Sequence, residues 1–406
     1  MTTLLTVLAV LLALAAVIWA SRHLEINRAD RRLPPLHSGL YAGERMATPP
    51  RVSVLVAAKD EEAVIEACVR SWLAQDYPDF ELIVINDRST DRTATIIDRL
   101  AAEDPRMRAL HVTELRPGWF GKNNAMREGV ERAGGEWLCF SDADCVQTSP
   151  RTLTVALRHA LETRTEFLSI LPLLDMHGLW EQIIQPACGG IMMLWFNPMK
   201  VNDPARPNAY ANGAFMLMTR SAYEALGGHE PVKTEVNEDM HMARRAKAMG
   251  LRLRVVTNAD LYRVRMYNSF AQAWRGWSRI FYGCFGTRRR LMVSLLVILY
   301  MSLLPWVTLL AAGVAWLAGS GPRPILGWTL LAAVLACAAQ LSVLVRFYRI
   351  SRVPAWLAPT YPIAAVLAAG MLLSALRRVG GRGTTNWRGT VYRGDRVESA
   401  PTPSGR

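Results

Sequence analysis

Acidic side chains recur where apolar segments of the chain end. Glu61 follows one such segment, Asp87 follows a second, and Asp142 and Asp144 follow a third. Two carboxylates one residue apart can share a hard divalent cation with the phosphate oxygens of a ligand. The first segment leads into neither a Walker-type glycine-lysine loop nor a Gly-x-Gly-x-x-Gly turn, so metal and basic side chains would have to neutralise phosphate. Simpler interpretations stay open: a helix cap at Asp87 and an ordinary turn around the last pair.

These carboxylates are expected at one edge of an α/β sheet. β-branched or apolar runs alternate with helical patterns, which predicts a mostly parallel sheet with helices on both faces. In such sheets, ligands bind at the carboxyl ends of the strands. The predicted strands cover residues 52–58, 81–86, 108–112 and 137–140.

The N-terminus predicts a membrane anchor over residues 1–21. Residues 2–20 carry no charge and are about long enough to cross a bilayer. No Lys or Arg precedes this run, as a signal peptide would require. The arginines follow it instead, which places the N-terminus outside and the following chain in the cytoplasm. They are Arg22, Arg28, Arg31 and Arg32.

A second apolar block is predicted over residues 291–376, after a region of soluble composition at 47–287. Its three apolar runs cover 291–319, 325–345 and 354–376. Because the last run contains three prolines, it could be re-entrant or interfacial, so either two or all three runs span the bilayer. Three further crossings would put the basic tail, 377–406, outside, whereas its arginines favour the cytoplasm; we favour the cytoplasmic side.

Composition indicates a bilayer as the partner rather than nucleic acid. The chain of 406 residues has a net charge of +13, 51% hydrophobic residues and a mean hydropathy of +0.12. Arginines flank the apolar runs, where anionic lipid headgroups attract them. The six cysteines have neither metal-ligand nor disulfide-framework spacing, so free thiols in a reducing compartment are expected.

Six segments occur in an order that resembles a known family. They are AAKDEE at 57–62, QDYP at 75–78, NDRSTD at 86–91, GWFGK at 118–122, DAD at 142–144 and NED at 237–239. Together, over about residues 52–282, they resemble the GT-A nucleotide-sugar domain of family-2 glycosyltransferases.

The resemblance implies site residues. Asp144 would bind Mg²⁺ or Mn²⁺. Asp239 would deprotonate the acceptor hydroxyl, with Glu238 as the next candidate, although acids at a helix N-terminus are also favoured by the helix dipole. The residues implied to contact the nucleotide sugar are Ala58, Glu61, Asp87, Lys122 and Asp142.

The acceptor side departs from the family pattern. The family usually carries Gln-x-x-Arg-Trp, but here Gly276 separates Arg275 from Trp277. The order Gly276-Trp277-Ser278-Arg279 looks more like relatives that glycosylate carotenoids or hopanoids, as does WRGTVY at 387–392. The candidate acceptor or interfacial residues are Gln272, Arg275, Trp277 and Arg279.

Two apolar segments could lie at the membrane surface. Residues 183–199 are apolar nearly all round and could form either an interfacial or a core helix. Residues 266–285 mix aromatic and basic side chains, which favours the interface.

The apolar runs and their flanking arginines predict an integral membrane protein with the domain at 47–287 in the cytoplasm, and the resemblance implies that this domain is catalytic. It would be a metal-dependent, inverting hexosyltransferase that moves a sugar from a nucleoside diphosphate, UDP favoured, to a hydroxyl of a membrane lipid such as a carotenoid, hopanoid or ceramide. A processive polysaccharide synthase and a catalytically inactive membrane scaffold are the alternatives.

Overall fold

The computed structural model describes residues 1–44 and 46–379, together with the backbone of three short strands near the C-terminus. The helices are α1 (Thr2–Arg32), α2 (Ile65–Leu73), α3 (Thr93–Glu103), α4 (Gly121–Val130), α5 (Thr152–Glu162), α6 (Leu179–Trp195), α7 (Pro198–Val201), α8 (Arg220–Ala225), α9 (Glu238–Ala248), α10 (Phe270–Phe285), α11 (Arg288–Val297), α12 (Leu304–Leu317), α13 (Arg323–Ile350) and α14 (Tyr361–Arg378). The strands are β1 (Val52–Ala58), β2 (Phe80–Asp87), β3 (Met107–Val112), β4 (Trp137–Asp142), β5 (Cys145–Gln147), β6 (Phe167–Leu171), β7 (Leu173–Leu174), β8 (Phe215–Thr219), β9 (Leu253–Thr257), β10 (Tyr262–Val264), β11 (Thr384–Trp387), β12 (Thr390–Arg393) and β13 (Arg396–Glu398).

The chain forms two compact units. The first, the helical unit, comprises Met1–Arg32, Met176–Leu194 and residues 267–379. The second, the sheet unit, comprises Leu33–Asp175 and Trp195–Met266 together with the described C-terminal strands. Segments 176–194 and 267–287, which lie within the region of soluble composition predicted from the sequence, therefore group with the apolar helices.

A seven-stranded sheet forms the centre of the sheet unit, in the order β3-β2-β1-β4-β8-β6-β9. The β1 strand pairs in parallel with β2 and β4, and β2 pairs in parallel with β3. Alternate residues of β1 enter two different apolar clusters, with Val54 in one and Leu55 in the other. Because helices contribute to both clusters, the sheet is covered on both faces, and the predicted α/β fold is confirmed.

One strand of this sheet is reversed. The β8 strand pairs antiparallel with both β4 and β6, so the sheet is mixed rather than wholly parallel. The predicted strand at 52–58 is observed with the same bounds, and the other three begin or end one or two residues away. The β8 strand was not predicted, because FMLMT is too short and apolar to separate strand from buried helix.

The helical unit contains four helical segments long and apolar enough to cross a membrane, counted over the described residues. They are Thr2–Arg32, Arg288–Leu317, Arg323–Ile350 and Ala355–Arg378. The second contains a π-helical stretch at Ile298–Leu303, and the fourth begins with a 3₁₀ turn at Ala355–Thr360. The prolines of the last segment lie in and around that turn, at its beginning, where they are compatible with a helix.

Candidate active site

Three neighbouring strands end together at one edge of the sheet. Ala58 lies opposite Asn86 in the β1–β2 pair, and Asp142 lies opposite Ala57 in the β1–β4 pair. Parallel pairing therefore brings Ala58, Asp87 and Asp142 to adjacent strand ends. This is the edge at which ligands bind in open α/β sheets.

Lys122 joins two carboxylates from different elements. Its Nζ lies 2.6 Å from Oδ1 of Asp142, at the end of β4, and 2.7 Å from Oε1 of Glu238, the first residue of α9. Burial alone would lower the pKa of Lys122, but the Asp142 and Glu238 carboxylates hold it well above its usual value. Lys122 therefore carries a permanent positive charge. The Glu238 side chain, only 3% exposed, is paired with it.

Asp239 lies beside this ion-pair group. Its Oδ2 accepts a hydrogen bond from the Gly213 N–H at 2.9 Å, and its Oδ1 accepts one from the Met240 N–H at 2.7 Å. Burial and the neighbouring Glu238 carboxylate raise the pKa of Asp239 to about 7, against the opposing effect of Lys122. A carboxyl with a pKa near neutrality can exchange protons under physiological conditions.

Gly213 was not predicted as a site residue. A Cβ at this position would lie 3.1 Å from Nζ of Lys122 and 3.5 Å from Oδ2 of Asp239. The glycine thus allows the backbone before β8 to approach both charged groups. The only sequence signal was a turn-forming Asn212-Gly213 pair ahead of an apolar run.

Asp144 is in an electrostatically crowded position. Burial, followed by the charges of Asp142 and Glu61, raises the pKa of Asp144 to about 7. Over the described residues, no group of three or more His, Cys, Asp or Glu side chains is placed to hold a metal by itself. Two carboxylates that need ligand oxygens to complete a shell do suit Mg²⁺ or Mn²⁺, since a divalent cation would relieve the crowding of negative charge.

Asp87 is paired with its own neighbour. Its carboxylate is buried, with Oδ1 at 2.7 Å from Nε of Arg88 and Oδ2 at 3.1 Å from Nη2. Arg88 has a φ of +54°, an unusual conformation that turns its side chain back onto Asp87. The loop after β1 is tied to the same region, because the Glu61 N–H donates to Oγ1 of Thr93 at 2.8 Å. The pairing with Arg88 was not predicted from the sequence.

The predicted acceptor residues lie on α10, in the helical unit. Gln272 closes the N-terminus of that helix, since its Oε1 accepts a hydrogen bond from the Asn268 N–H at 2.9 Å. Trp277 is buried, and its Nε1 donates to Oε1 of Gln185 at 2.7 Å. Arg275 is exposed and Arg279 is half-buried. Gln272 and Trp277 therefore make local hydrogen bonds, Arg275 is open to solvent and Arg279 is partly so.

Gly276 separates Arg275 from Trp277, and the presence of glycine at this position has a steric explanation. The ring of Tyr267 lies so close to it that any Cβ at this position would overlap the ring. The tail segment 387–392 includes residues 388–389, which lie outside the described residues.

The fold and the site define a class: a GT-A-type sheet with carboxylates and a lysine at the carboxyl ends of its strands. A model described as "Glycosyltransferase like family 2" matches residues 49–283, and one described as "Glycosyl transferase family group 2" matches residues 197–373. The first covers more than half of the chain. The chain therefore belongs to glycosyltransferase family 2.

Two known proteins give more specific comparisons. The 4,4'-diaponeurosporenoate glycosyltransferase of Staphylococcus aureus (strain USA300) is 25% identical over 257 residues, which are 62% of this chain and 66% of that protein. The structure of a mannosyltransferase from Pyrobaculum calidifontis, in complex with GDP-Man and Mn²⁺, superposes with a TM-score of 0.52 and 21% identity, covering 89% of this chain and 99% of that one. The latter supports the fold.

Proposed function

We propose that this protein is an inverting glycosyltransferase that moves one sugar from a nucleoside diphosphate sugar to a hydroxyl of a membrane lipid. The observation that carries the proposal is the arrangement of Asp239 beside the Lys122–Glu238 and Lys122–Asp142 ion pairs. It combines a carboxyl able to accept a proton with a fixed cation and further carboxylates at the strand ends.

In this mechanism Asp239 is the general base. Glu238 forms an ion pair with Lys122, whereas Asp239 accepts hydrogen bonds from the backbone N–H groups of Gly213 and Met240 and has a pKa raised to about 7. Asp239 accepts the proton of the acceptor hydroxyl while the oxygen of that hydroxyl forms a bond to the anomeric carbon. The bond from that carbon to the diphosphate oxygen breaks, and the nucleoside diphosphate leaves with the electron pair. A single displacement of this kind inverts the anomeric centre.

The leaving group needs positive charge. Lys122 supplies positive charge beside Asp142 and Glu238, and Asp144, with Asp142 beside it, would hold a divalent metal ion. Such an ion supplies Lewis-acid stabilisation of the diphosphate. The P. calidifontis protein, crystallised with GDP-Man and Mn²⁺, supports a sugar nucleotide and a metal as ligands here.

A lipid acceptor is supported by two observations. The chain has four helical segments that are long and apolar enough to cross a membrane, counted over the described residues. The relative that matches over 257 residues is named for glycosylation of 4,4'-diaponeurosporenoate, a carotenoid. Arg275 and Arg279 are the residues of α10 that we propose for contact with the acceptor or with headgroups.

The decisive experiment is a transfer assay with membranes and radiolabelled UDP- and GDP-sugars, followed by lipid extraction. Wild-type membranes should label the lipid fraction with one sugar per acceptor. Asp239→Asn should reduce turnover by about 10² to 10⁴, the usual loss of a general base, with nucleotide affinity retained. Asp79→Asn, at an exposed position, is the matched control and should stay at the wild-type rate.

Other outcomes discriminate the alternatives. A ladder of products would favour a processive synthase, and the absence of transfer from every donor would favour an inactive scaffold. Turnover of Asp239→Asn within a few fold of wild type would assign Asp239 to the helix terminus and make Glu238 the next candidate.

The metal is tested separately. Excess chelator and Asp144→Ala should each abolish transfer, and Asp144→Ala should remove the thermal stabilisation that nucleoside diphosphate with Mn²⁺ gives the wild type. Full activity in chelator would overturn the metal role.

We further propose that the sheet unit is cytoplasmic. Along the chain, the arginines at 22–32 follow the first apolar segment and lead into the sheet unit, and those at 288–290 directly precede the second apolar segment. A reporter fused after Arg290 should therefore read cytoplasmic; a periplasmic signal would overturn the proposed orientation.

A further inference from the structure

Asn123 lies in the first turn of α4, directly after Lys122, and is fully buried. Its Nδ2 lies 2.7 Å from the carbonyl oxygen of Val232, 2.9 Å from that of Glu235 and 3.3 Å from that of Lys233. The side chain therefore gathers three carbonyls of residues 232–235. We call residues 232–237, which lead directly into α9, the base segment.

A second hydrogen bond joins the same two parts of the chain. The N–H of Phe120, which precedes α4, donates to the carbonyl oxygen of Lys233 at 2.6 Å. The start of α4 is thus linked to the base segment by both a backbone group and an amide side chain. Consecutive residues of α4 reach the two sides of the site: Lys122 contacts the side chains of Asp142 and Glu238, and Asn123 contacts the backbone just before Glu238.

The contact uses the Nδ2 donor of Asn123, and it is this donor that the position needs. Three carbonyl oxygens converge on the Nδ2 atom, and its two protons can bond all three oxygens when two of the oxygens share one proton. A carboxylate of the same size would repel them. At the start of α9, which follows the base segment, the side chain of the N-cap residue Asn237 makes no capping hydrogen bond.

We propose that Asn123 is a positioning residue that sets Asp239 in register with Lys122. This rests on the proposed function, in which Asp239 is the base. Loss of the Asn123 contacts would let the base segment shift, and a displacement of about 1 Å between reacting groups is enough to slow a reaction strongly. Because Lys122 lowers the pKa of Asp239, the same shift would also change the pH at which the base ionises.

The test uses full-length protein in detergent and two variants, Asn123→Asp and Asn123→Ala. The first replaces the donor with an oxygen, and the second leaves room for a water. Asn124→Asp is the matched control, since Asn124 is equally buried in the same turn but donates to the Glu114 carbonyl, outside the base segment. The measurements are kcat, the KM for the sugar nucleotide, the affinity for UDP or GDP with Mn²⁺, the pH profile of kcat, and hydrogen exchange of peptides covering 232–240.

Both Asn123 variants should lower kcat at least tenfold and shift the rising limb of its pH profile by at least half a unit. Nucleotide affinity should stay within threefold, and exchange over 232–240 should accelerate. Asn124→Asp should leave kcat within threefold and the pH profile unchanged. Asn123→Ala gives the same readouts should Asn123→Asp fail to fold.

The outcomes separate this inference from the proposed function. If wild-type protein transfers no sugar from any donor, the proposed function fails and the positioning role falls with it. If the wild type is active and Asn123→Ala keeps its kcat and pH profile, the positioning role alone is overturned. Equal losses in the Asn123 and Asn124 variants, or a fall in nucleotide affinity that accounts for the loss of rate, would reduce Asn123 to a structural residue.

Discussion

Each unit of the protein contains a buried polar hub, and the two hubs compared below differ in charge. In the sheet unit Lys122 joins the carboxylates of Asp142 and Glu238. In the helical unit Gln340, fully buried, accepts a hydrogen bond from Nε1 of Trp306 at 2.5 Å. Its Nε2 donates to the carbonyl oxygen of Met301 at 3.1 Å. The second hub consists of neutral groups only.

The neutral hub has a structural origin. Met301 lies in the π-helical stretch Ile298–Leu303, where the regular hydrogen-bond ladder is displaced. In an apolar environment the backbone groups that this displacement frees must find partners, and the Gln340 amide provides one. A hydrogen bond between Ser302 and Tyr361, at 3.1 Å, satisfies further polar atoms nearby. This hub is complete without a ligand.

The charged hub is not balanced in the same way. One lysine faces Asp142 and Glu238, while Asp144 and Asp239 nearby have pKa values raised to about 7. Negative charge is therefore in excess, and protons, a metal ion or another cation must compensate for it. Buried charge is thus left uncompensated where a ligand or a proton is expected, and avoided where only packing is required.

The largest effect is expected when the positive charge of the charged hub is removed. Lys122→Met keeps the aliphatic stem but leaves Asp142 and Glu238 without their cation. Transfer should fall by about 10² to 10³, the cost of removing one preorganised electrostatic contact. Turnover of the purified protein is the measurement, and Lys200→Met, at an exposed lysine, is the control. Activity within threefold of wild type would show that Lys122 has no electrostatic role in transfer.

The second prediction concerns pH. Because the pKa of Asp239 is raised to about 7, the base is protonated below that value, and kcat/KM should fall tenfold per unit as pH decreases from 7. The sign for stability is opposite. A raised carboxyl pKa means that the folded state binds the proton more tightly, so stability is retained below about pH 4 and lost as pH rises towards 7.

The check is to measure kcat/KM and the thermal midpoint as functions of pH in the wild type and in Asp239→Asn. The contribution of Asp239 to the pH dependence of the thermal midpoint should disappear in this variant. A kcat/KM profile that is flat between pH 5 and 7 in the wild type would contradict the assignment of the base.

The sequence predicted much of this arrangement, for identifiable reasons. The β1 strand was predicted with its observed bounds because VSVLVAA is a continuous apolar run followed by charged residues. Parallel pairing then brought Asp87 and Asp142 to one edge, as expected. The antiparallel insertion of β8 between β4 and β6 was not predictable, because strand order depends on long-range pairing rather than on local pattern.

The site contacts that were missed have a common feature. The Gly213 N–H and the Asn123 amide each join segments distant in sequence through a backbone group, and the Arg88 guanidinium turns back onto the adjacent Asp87 in an unusual backbone conformation. Their residue types are ordinary for turns and helix starts, so spacing alone does not reveal them. The interruption at Gly276 was visible in the sequence, but its reason, the Tyr267 ring, required the fold.

The third prediction tests that packing in the helical unit. Gly276→Ala should lower stability by about 1 to 3 kcal/mol, because the new methyl group overlaps the Tyr267 ring. Gly313→Ala is the matched control, since a Cβ at Gly313 in α12 meets no atom within 4 Å. The control should be neutral or stabilising by up to about 1 kcal/mol. Thermal midpoints in detergent measure both, and equal midpoints for the two variants would contradict the steric explanation.

The smallest effect is expected at the neutral hub. Gln340→Leu removes the hydrogen bonds to Trp306 and Met301 but fills the same space. Hydrogen bonds between membrane helices contribute on average about 0.6 kcal/mol each, so the loss should be about 1 kcal/mol, with turnover unchanged. Gln340→Glu sharpens the contrast, since a charged side chain at a helix centre costs about 3 kcal/mol on insertion scales. If instead Gln340→Leu abolished transfer at an unchanged thermal midpoint, the neutral hub would have a role in the reaction, and the division between a charged hub for chemistry and a neutral hub for packing would be wrong.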